Sequence, residues 1–331
     1  MRTIDMHAHL APQCFWKATE NGGNWHGITR EQDARGREFA IIGTERALMI
    51  PKTSWTPEQR MMDMDSLGVD VHVVSPYSTF YNYRLDTKTA KATSEDCNDE
   101  IYQMTQTWPE RFAGLATLPM QDVKAAVSEL ERVMTQMNFK GAMIDDKING
   151  VTLDHPNYMP FWKAAEEMGA LILFHQAGDT VVDSRIDRYH LPNTIGNLAD
   201  RTITFASLVF GGVIDACPDL KICLSHGGGY TCYGIGRLDR GWTVRPEARV
   251  NISKPPSEYL NSFYYDCIVY TEPALRYLID AVGIERVLFG TDWPFDMEFD
   301  WPVSWILSLA SLSTAEKEAI LWKNIERALD L

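Results

Sequence analysis

Thr3-Ile4-Asp5-Met6-His7-Ala8-His9 is the first patterned stretch of the chain. Ile4, Met6 and Ala8 alternate with Asp5, His7 and His9, which is the period of a β-strand. Two residues apart on a strand, both imidazoles share one face and can reach one cation. Taken alone the pair admits two readings, a metal pair or two packing histidines.

Seven more short apolar runs follow: Val69–Ser75, Phe112–Leu118, Gly141–Ile144, Leu171–His175, Leu220–His226, Phe263–Val269 and Val287–Asp292. Runs this short and continuously apolar fit strands buried on both faces, as in a parallel sheet. Helical patterns lie between them. Asp122–Met137 puts Val123, Val127, Leu130, Val133, Met134 and Met137 on one stripe, with Asp122 placed to cap. Met61–Gly68, Lys88–Trp108, Asn157–Met168, Thr202–Ala216 and Glu272–Val282 read similarly. The last helix opens on Ser313 and Glu316, a capping-box spacing, and turns Ile320, Leu321, Ile325, Ala328 and Leu329 inward.

Strand and helix alternating eight times predict an α/β fold, a (β/α)8 TIM barrel. A doubly wound sheet is disfavoured because no glycine-rich dinucleotide loop follows the first strand. About fifty residues between His9 and Glu58 break the rhythm and are rich in Gly, Trp, Arg and Asn. A structureless loop that long is improbable in a compact domain. The expected organisation is one domain, 1–331, with residues 11–57 inserted after the first strand as a lid or small subdomain.

The strand ends resolve the histidine pair. His175 closes the fifth run, His226 the sixth and Asp292 the eighth. In a barrel the C-terminal ends of the strands converge on one mouth. Four strand ends then deliver metal-competent or acid–base groups to the same place. Mixed imidazole and carboxylate donors suit Zn2+, with Mn2+ and Fe2+ as alternatives. His72, inside the second run, reads as a core histidine, His155 as a turn residue, and His26 and His190 as candidates for the cavity wall. Trp16, Trp25 and Trp293 are candidates for an aromatic pocket, and Arg185 and Arg188 read as substrate ligands or solvated charges.

The 31 Lys and Arg against 45 Asp and Glu give a net charge of −14, which argues against nucleic-acid binding. An anionic small molecule remains compatible, since a local cluster of positive charge overrides the global sign. No apolar stretch approaches the roughly 18–20 residues of a membrane span. The six cysteines form no C-x-x-C pair, and no signal-peptide pattern precedes His7, so a reduced, cytoplasmic protein is expected. G-x-S-x-G and phosphate-loop motifs are absent.

The string Ile4-Asp5-Met6-His7-Ala8-His9, the strand-end His175, Ser225-His226-Gly227-Gly228-Gly229 and Gly290-Thr291-Asp292-Trp293-Pro294-Phe295 together resemble the amidohydrolase superfamily. More narrowly they resemble its amidohydrolase-2 branch, typified by α-amino-β-carboxymuconate-ε-semialdehyde decarboxylase. Leu67-Gly68-Val69-Asp70, Pro218-Asp219-Leu220-Lys221, Gly236-Arg237 and Pro255-Pro256-Ser257-Glu258-Tyr259 extend the likeness over nearly the whole chain. The resemblance implies His7, His9, His175 and Asp292 as ligands of one divalent metal. It implies His226 as the catalytic histidine acting on the metal-bound water; on chemical grounds Asp292 can share in catalysis by holding the water or shuttling a proton. It also implies Arg237 reaching a neighbouring subunit's substrate carboxylate, hence a homodimer, and Arg46 as the nearest counterpart of a second substrate-binding arginine. The sequence departs from the decarboxylase pattern at Gln176-Ala177-Gly178-Asp179, where a Pro-Trp pair is typical, and at Asp145-Asp146, where Gly-Asn is typical.

Such groups are suited to nonoxidative decarboxylation of a small unsaturated or aromatic carboxylic acid. The same groups also suit a metal-dependent hydrolase of an amide, lactone or imine, or a hydratase.

Overall fold

The structure is a computed structural model that describes residues 1–331. Eight strands form the barrel: β1 (Ile4–Leu10), β2 (Val71–Pro76), β3 (Phe112–Gly114), β4 (Gly141–Ile144), β5 (Leu171–Phe174), β6 (Lys221–Leu224), β7 (Phe263–Asp266) and β8 (Val287–Leu288). They hydrogen-bond in parallel as β1-β2-β3 and as β8-β7-β6-β5-β4. Parallel bridges Ala116↔Ala142 and Ala8↔Trp293 join the two sheets at both seams and close the cylinder. Every residue of β2, β4 and β5 is buried, as their apolar runs require, and in β1 the polar Asp5, His7 and His9 are buried as well.

Each expected run finds its strand, but three strands stop short of the residue that closes the run. β5 ends at Phe174 before His175, β6 at Leu224 before His226, and β8 at Leu288 before Asp292. These three side chains sit in the turns just past the strands, which places them at the mouth. His226 and Asp292 turn there with φ of +55° and +66°, a left-handed conformation uncommon outside glycine. Such conformations persist where surrounding contacts fix them.

The principal barrel helices are α1 (Pro57–Leu67), α2 (Thr87–Thr107), α3 (Val123–Gln136), α4 (Met159–Glu167), α5 (Leu198–Phe210), α6 (Thr231–Val244) and α7 (Glu272–Val282). The Asp122 side chain accepts from Ala125 N–H, and Ser313 and Glu316 form their reciprocal cap, both as expected. A second capping box at Thr56 and Gln59 starts α1, earlier than the apolar pattern suggested. Helix α6 was not anticipated from periodicity. It carries Gly234, Gly236 and Gly241, residues that weaken helix propensity and blur the stripe. The final helix is interrupted by a π-helical turn over Ala319–Lys323.

Between β1 and α1 lie a short helix, Gln13–Ala18, and an antiparallel sheet of Thr29–Gln32, Glu38–Ile42 and Glu45–Leu48. Phe15, Trp16, Trp25, Ile28, Ala40 and Met49 pack there in a small core of their own, against Tyr77, Phe80 and Cys97 from the barrel. The Glu100 carboxylate of α2 accepts the backbone N–H groups of Gln13 and Cys14 at 2.6 and 2.9 Å. Trp16 and Trp25 therefore serve this packing, with their indoles donating to Thr53 O and Asp96, instead of lining a ligand pocket. All six cysteines are unpaired, and no helix is long and apolar enough to cross a membrane.

Asn98, on α2, ties the third barrel segment to its helices. Its amide donates to Thr117 O at 3.0 Å and to Glu129, and its carbonyl accepts Thr117 N–H at 2.9 Å, all buried. Asn98→Ala strands these groups, and chemical denaturation is expected to show a loss of about 2–4 kcal/mol.

Candidate metal centre

His7 and His9 leave β1 on the same face, as their spacing predicts, and meet His175, His226 and Asp292 at the mouth. Asp292 Oδ1 lies 3.3, 3.2 and 3.6 Å from Nε2 of His7, His9 and His175. Its other oxygen, Oδ2, faces His226 Nε2 at 3.5 Å. One carboxylate thus has two faces, one toward a group of three imidazoles and one toward a single histidine.

His7, His9, His175 and Asp292 each offer one donor atom, all within 4.8 Å of one another and all buried. Nε2 of His7 and of His175 are buried without a hydrogen-bond partner. A buried polar atom left unpaired costs about 1–3 kcal/mol. Orphaned donors converging on one point, with imidazole and carboxylate chemistry, fit a divalent cation.

The Nδ1 side of each ring is already engaged. His7 Nδ1 meets Asp266 Oδ2 at 2.8 Å, His9 Nδ1 meets Ser75 Oγ at 3.3 Å, and His175 Nδ1 donates to Gln176 O at 3.1 Å. Partners of this kind fix the ring and leave Nε2 for a metal. Electrostatics agree for His9 and His175. Burial lowers His9 to about 4 and His175 well below its ordinary value, so both carry a free lone pair at neutral pH. Burial opposes charge on His7 too, but Asp292 and Asp266 outweigh it and push it up to about 10. Burial also opposes charge on Asp292, yet the His7 charge and hydrogen bonds from the imidazoles hold it well below the usual carboxylate range.

A second layer holds these ligands. Asp266, at the end of β7, accepts from Gly227 N–H at 2.9 Å and Ile268 N–H at 3.1 Å while orienting His7. Asp5 accepts from His7 N–H at 2.9 Å and from Thr291 N–H and Oγ1 at 3.1 and 2.6 Å, so one carboxylate ties β1 to the residue before Asp292. Arg60 is buried beneath, donating to His9 O at 2.7 Å and to His72 Nδ1 at 3.1 Å, and stacks 4.2 Å over Trp293. Burial lowers its guanidinium to about 9, which leaves it charged at neutral pH. His72 is the core histidine expected, and burial with the Arg60 charge keeps it neutral. Asp266 was missed in the sequence, though it is the one charged residue in the run Phe263–Val269.

A cavity of about 280 Å3 opens beside His226 and Asp292. Leu198, Ile268, Val269, Tyr270 and Met297 line it, with Asn193, Thr194 and Asn197 as its amide and hydroxyl groups. The other expected residues lie elsewhere. Arg46 is not brought to the cavity: it stacks on Phe39 at 3.4 Å and pairs with Glu31 of the neighbouring strands. Arg237 stands exposed on α6 and makes no ion pair within its own chain. His26 bonds Asp96 at 2.8 Å, His155 accepts from Asn157 N–H in its turn, and His190, Arg185 and Arg188 are exposed.

At the end of β4, Asp146 pairs with Arg201, whose Nη2 donates to Gln176 beside His175 at 2.8 Å. Asp145 is buried against it. Burial, then the Asp146 charge, push its carboxyl up to about 8. A pKa raised above the ordinary 3.8 makes the neutral acid the stabilising form. That contribution is complete below pH 3.8 and is lost as the pH rises through about 8. Asp145→Asn is expected to flatten this dependence, raising stability over the parent by about 1–2 kcal/mol at pH 9 and by less at pH 5, measured by thermal melts. Asp266→Asn should weaken metal affinity by about 10–100-fold in a chelator competition, through misorientation of His7.

Comparison with known proteins agrees with this geometry. The chain matches the amidohydrolase family (Amidohydro_2) over residues 4–331. It is 30% identical over 329 residues to 2-amino-3-carboxymuconate-6-semialdehyde decarboxylase of Dictyostelium discoideum, covering 99% of this chain and 91% of that one. It is 30% identical to gamma-resorcylate decarboxylase of Polaromonas sp., covering 88% of this chain and 96% of the relative. The crystal structure of 5-carboxyvanillate decarboxylase from Sphingomonas paucimobilis superposes with a TM-score of 0.84 at 25% identity, over 100% of this chain and 99% of that one. With its closed parallel barrel and its histidine–aspartate donor set at the mouth, the chain belongs to the amidohydrolase family Amidohydro_2.

Proposed function

We propose that this protein is a metal-dependent nonoxidative decarboxylase of a small unsaturated or aromatic carboxylic acid. The observation that carries the reading is the two-faced Asp292, with three imidazole donors on one oxygen and His226 on the other, at the floor of a mainly apolar cavity. The names of the relatives support the reaction class, since each is a decarboxylase of a compound of this kind.

His7, His9, His175 and Asp292 would hold the metal. Zn2+ is the proposed ion on donor chemistry, with Mn2+ and Fe2+ as alternatives. When bound, a divalent cation supplies Lewis acidity to an electron-rich substrate oxygen. The chain's own groups handle the proton. His226 lines the cavity and its Nε2 is 3.5 Å from Asp292 Oδ2, so a proton can pass between them and to the substrate carbon that bears the carboxylate. As that carbon gains hydrogen, its bond to the carboxylate breaks, the electron pair returns to the unsaturated system, and CO2 leaves. The apolar wall disfavours the charged carboxylate relative to neutral CO2. Hydrolase and hydratase chemistry is the competing reading, and it requires oxygen from water in the product.

Arg237 is exposed on α6 beside Tyr233, which is 87% exposed, a disposition suited to a neighbouring copy of the chain. We read the working form as a homodimer in which Arg237 meets a substrate carboxylate across the interface. Arg46 would serve the same end only after releasing Glu31. Residues 11–57 are proposed as the lid over the mouth. Unpaired thiols suit a reduced cytoplasm.

His226→Ala is expected to abolish turnover, by at least about 100-fold, while metal content stays near stoichiometric. CO2 release without 18O uptake supports the decarboxylase. Uptake of 18O supports the hydrolase or hydratase, and loss of metal in His226→Ala overturns the separation of roles.

A further inference from the structure

The cavity wall carries one polar group that the fold does not use. Asn197 is 5% exposed, lines the cavity, and its carboxamide makes no hydrogen bond to the protein. It occupies the cap position of α5, where asparagine ordinarily bonds a free backbone N–H. Here it does not cap. The chain enters α5 from a π-helical turn, Pro192–Asn197, and Asn197 has helical dihedrals of −56° and −42°. Continuous helix leaves no free first-turn donors for the side chain to bond, so it is spare for a ligand.

Charge on the same wall narrows the ligand. Asn193, Thr194, Leu198, Ile268, Val269 and Tyr270 include no lysine or arginine, and the one ionised carboxylate nearby is Asp292. The Tyr270 hydroxyl is committed to Met297 O at 2.7 Å. A second anionic substituent at this wall would meet no cation there. A hydroxyl, carbonyl or amine would meet a carboxamide able both to donate and to accept.

We infer that Asn197 is a specificity-determining residue, whose carboxamide hydrogen-bonds an uncharged polar substituent of the substrate while the unsaturated skeleton lies against Leu198, Ile268 and Val269. This deepens the reading of the cavity as the substrate site and rests on it. Discrimination comes from the missing bond: a ligand without the substituent leaves a buried amide unpaired.

The test is calorimetric binding of benzoate and of 2-, 3- and 4-hydroxybenzoate to the full chain loaded with Zn2+ or Mn2+. At least one hydroxy isomer is expected to bind the parent about tenfold tighter than benzoate. Asn197→Leu should erase that advantage and leave benzoate within about twofold, with the melting temperature confirming the fold. Asn197→Gln, which keeps the amide, should retain part of it. The inference is overturned if no hydroxy isomer outcompetes benzoate, if none binds, or if the preference survives in Asn197→Leu. Binding is read without turnover, so a failure of the decarboxylase reading, seen as no CO2 release, is separate from a failure of this one.

Discussion

Burying the Asp292 carboxylate among four imidazoles is the constraint on which the rest depends. Its oxygens lie within 3.6 Å of Nε2 on His7, His9, His175 and His226. An assembly of this kind is stable only if charge is balanced and every ring is held in one orientation. Asp266, Asp5, Ser75 and the carbonyl of Gln176 supply the orientation. Arg60, stacked under Trp293, adds a buried positive charge behind the carboxylates. The barrel makes this affordable because it sets His7 and His9 on β1 and the other groups just past β5, β6 and β8, all at one mouth.

Much of this was legible in the sequence because the physics is local there. One alternating stretch and seven short apolar runs announce the strands, and His9, His175, His226 and Asp292 close four of them. Other features depend on distance in space. Asp266 sits inside an apolar run and shows its purpose only when β7 lies beside β1. Asp5 reads as one polar position of an alternating strand until Thr291, 286 residues later, bonds to it. Arg46 has the composition of a substrate ligand, but its cross-sheet partner Glu31 was not foreseeable from spacing. Helix α6 was hidden by three glycines that tertiary packing tolerates. Asn197 could not be singled out at all, because an asparagine before an apolar run reads as an ordinary cap.

Division of labour around the mouth follows from the same geometry. The metal donors come from β1 and the residues just past β5 and β8, whereas the rest of the cavity wall comes from longer turns and helices after β5, β6, β7 and β8. Wall residues such as Leu198 and Val269 can therefore vary without disturbing the ligands, which are locked from below by buried carboxylates. The Gln176 group that holds His175 is its backbone carbonyl, which any residue supplies, so the departures from the decarboxylase pattern at Gln176–Asp179 coexist with a complete donor set.

Closure of the barrel at Ala8↔Trp293 has a consequence in time as well as space. His9 is made by the ribosome 283 residues before Asp292. Asp292 N–H bonds His7 O, and β8 is in turn held by Phe289 N–H on Ile320 O. Until Asp292 is synthesised, the emerging chain carries its imidazoles without the carboxylate that gathers them. The donor set is thus complete only once Asp292 has been made, and a chain interrupted before it holds three imidazoles without their carboxylate.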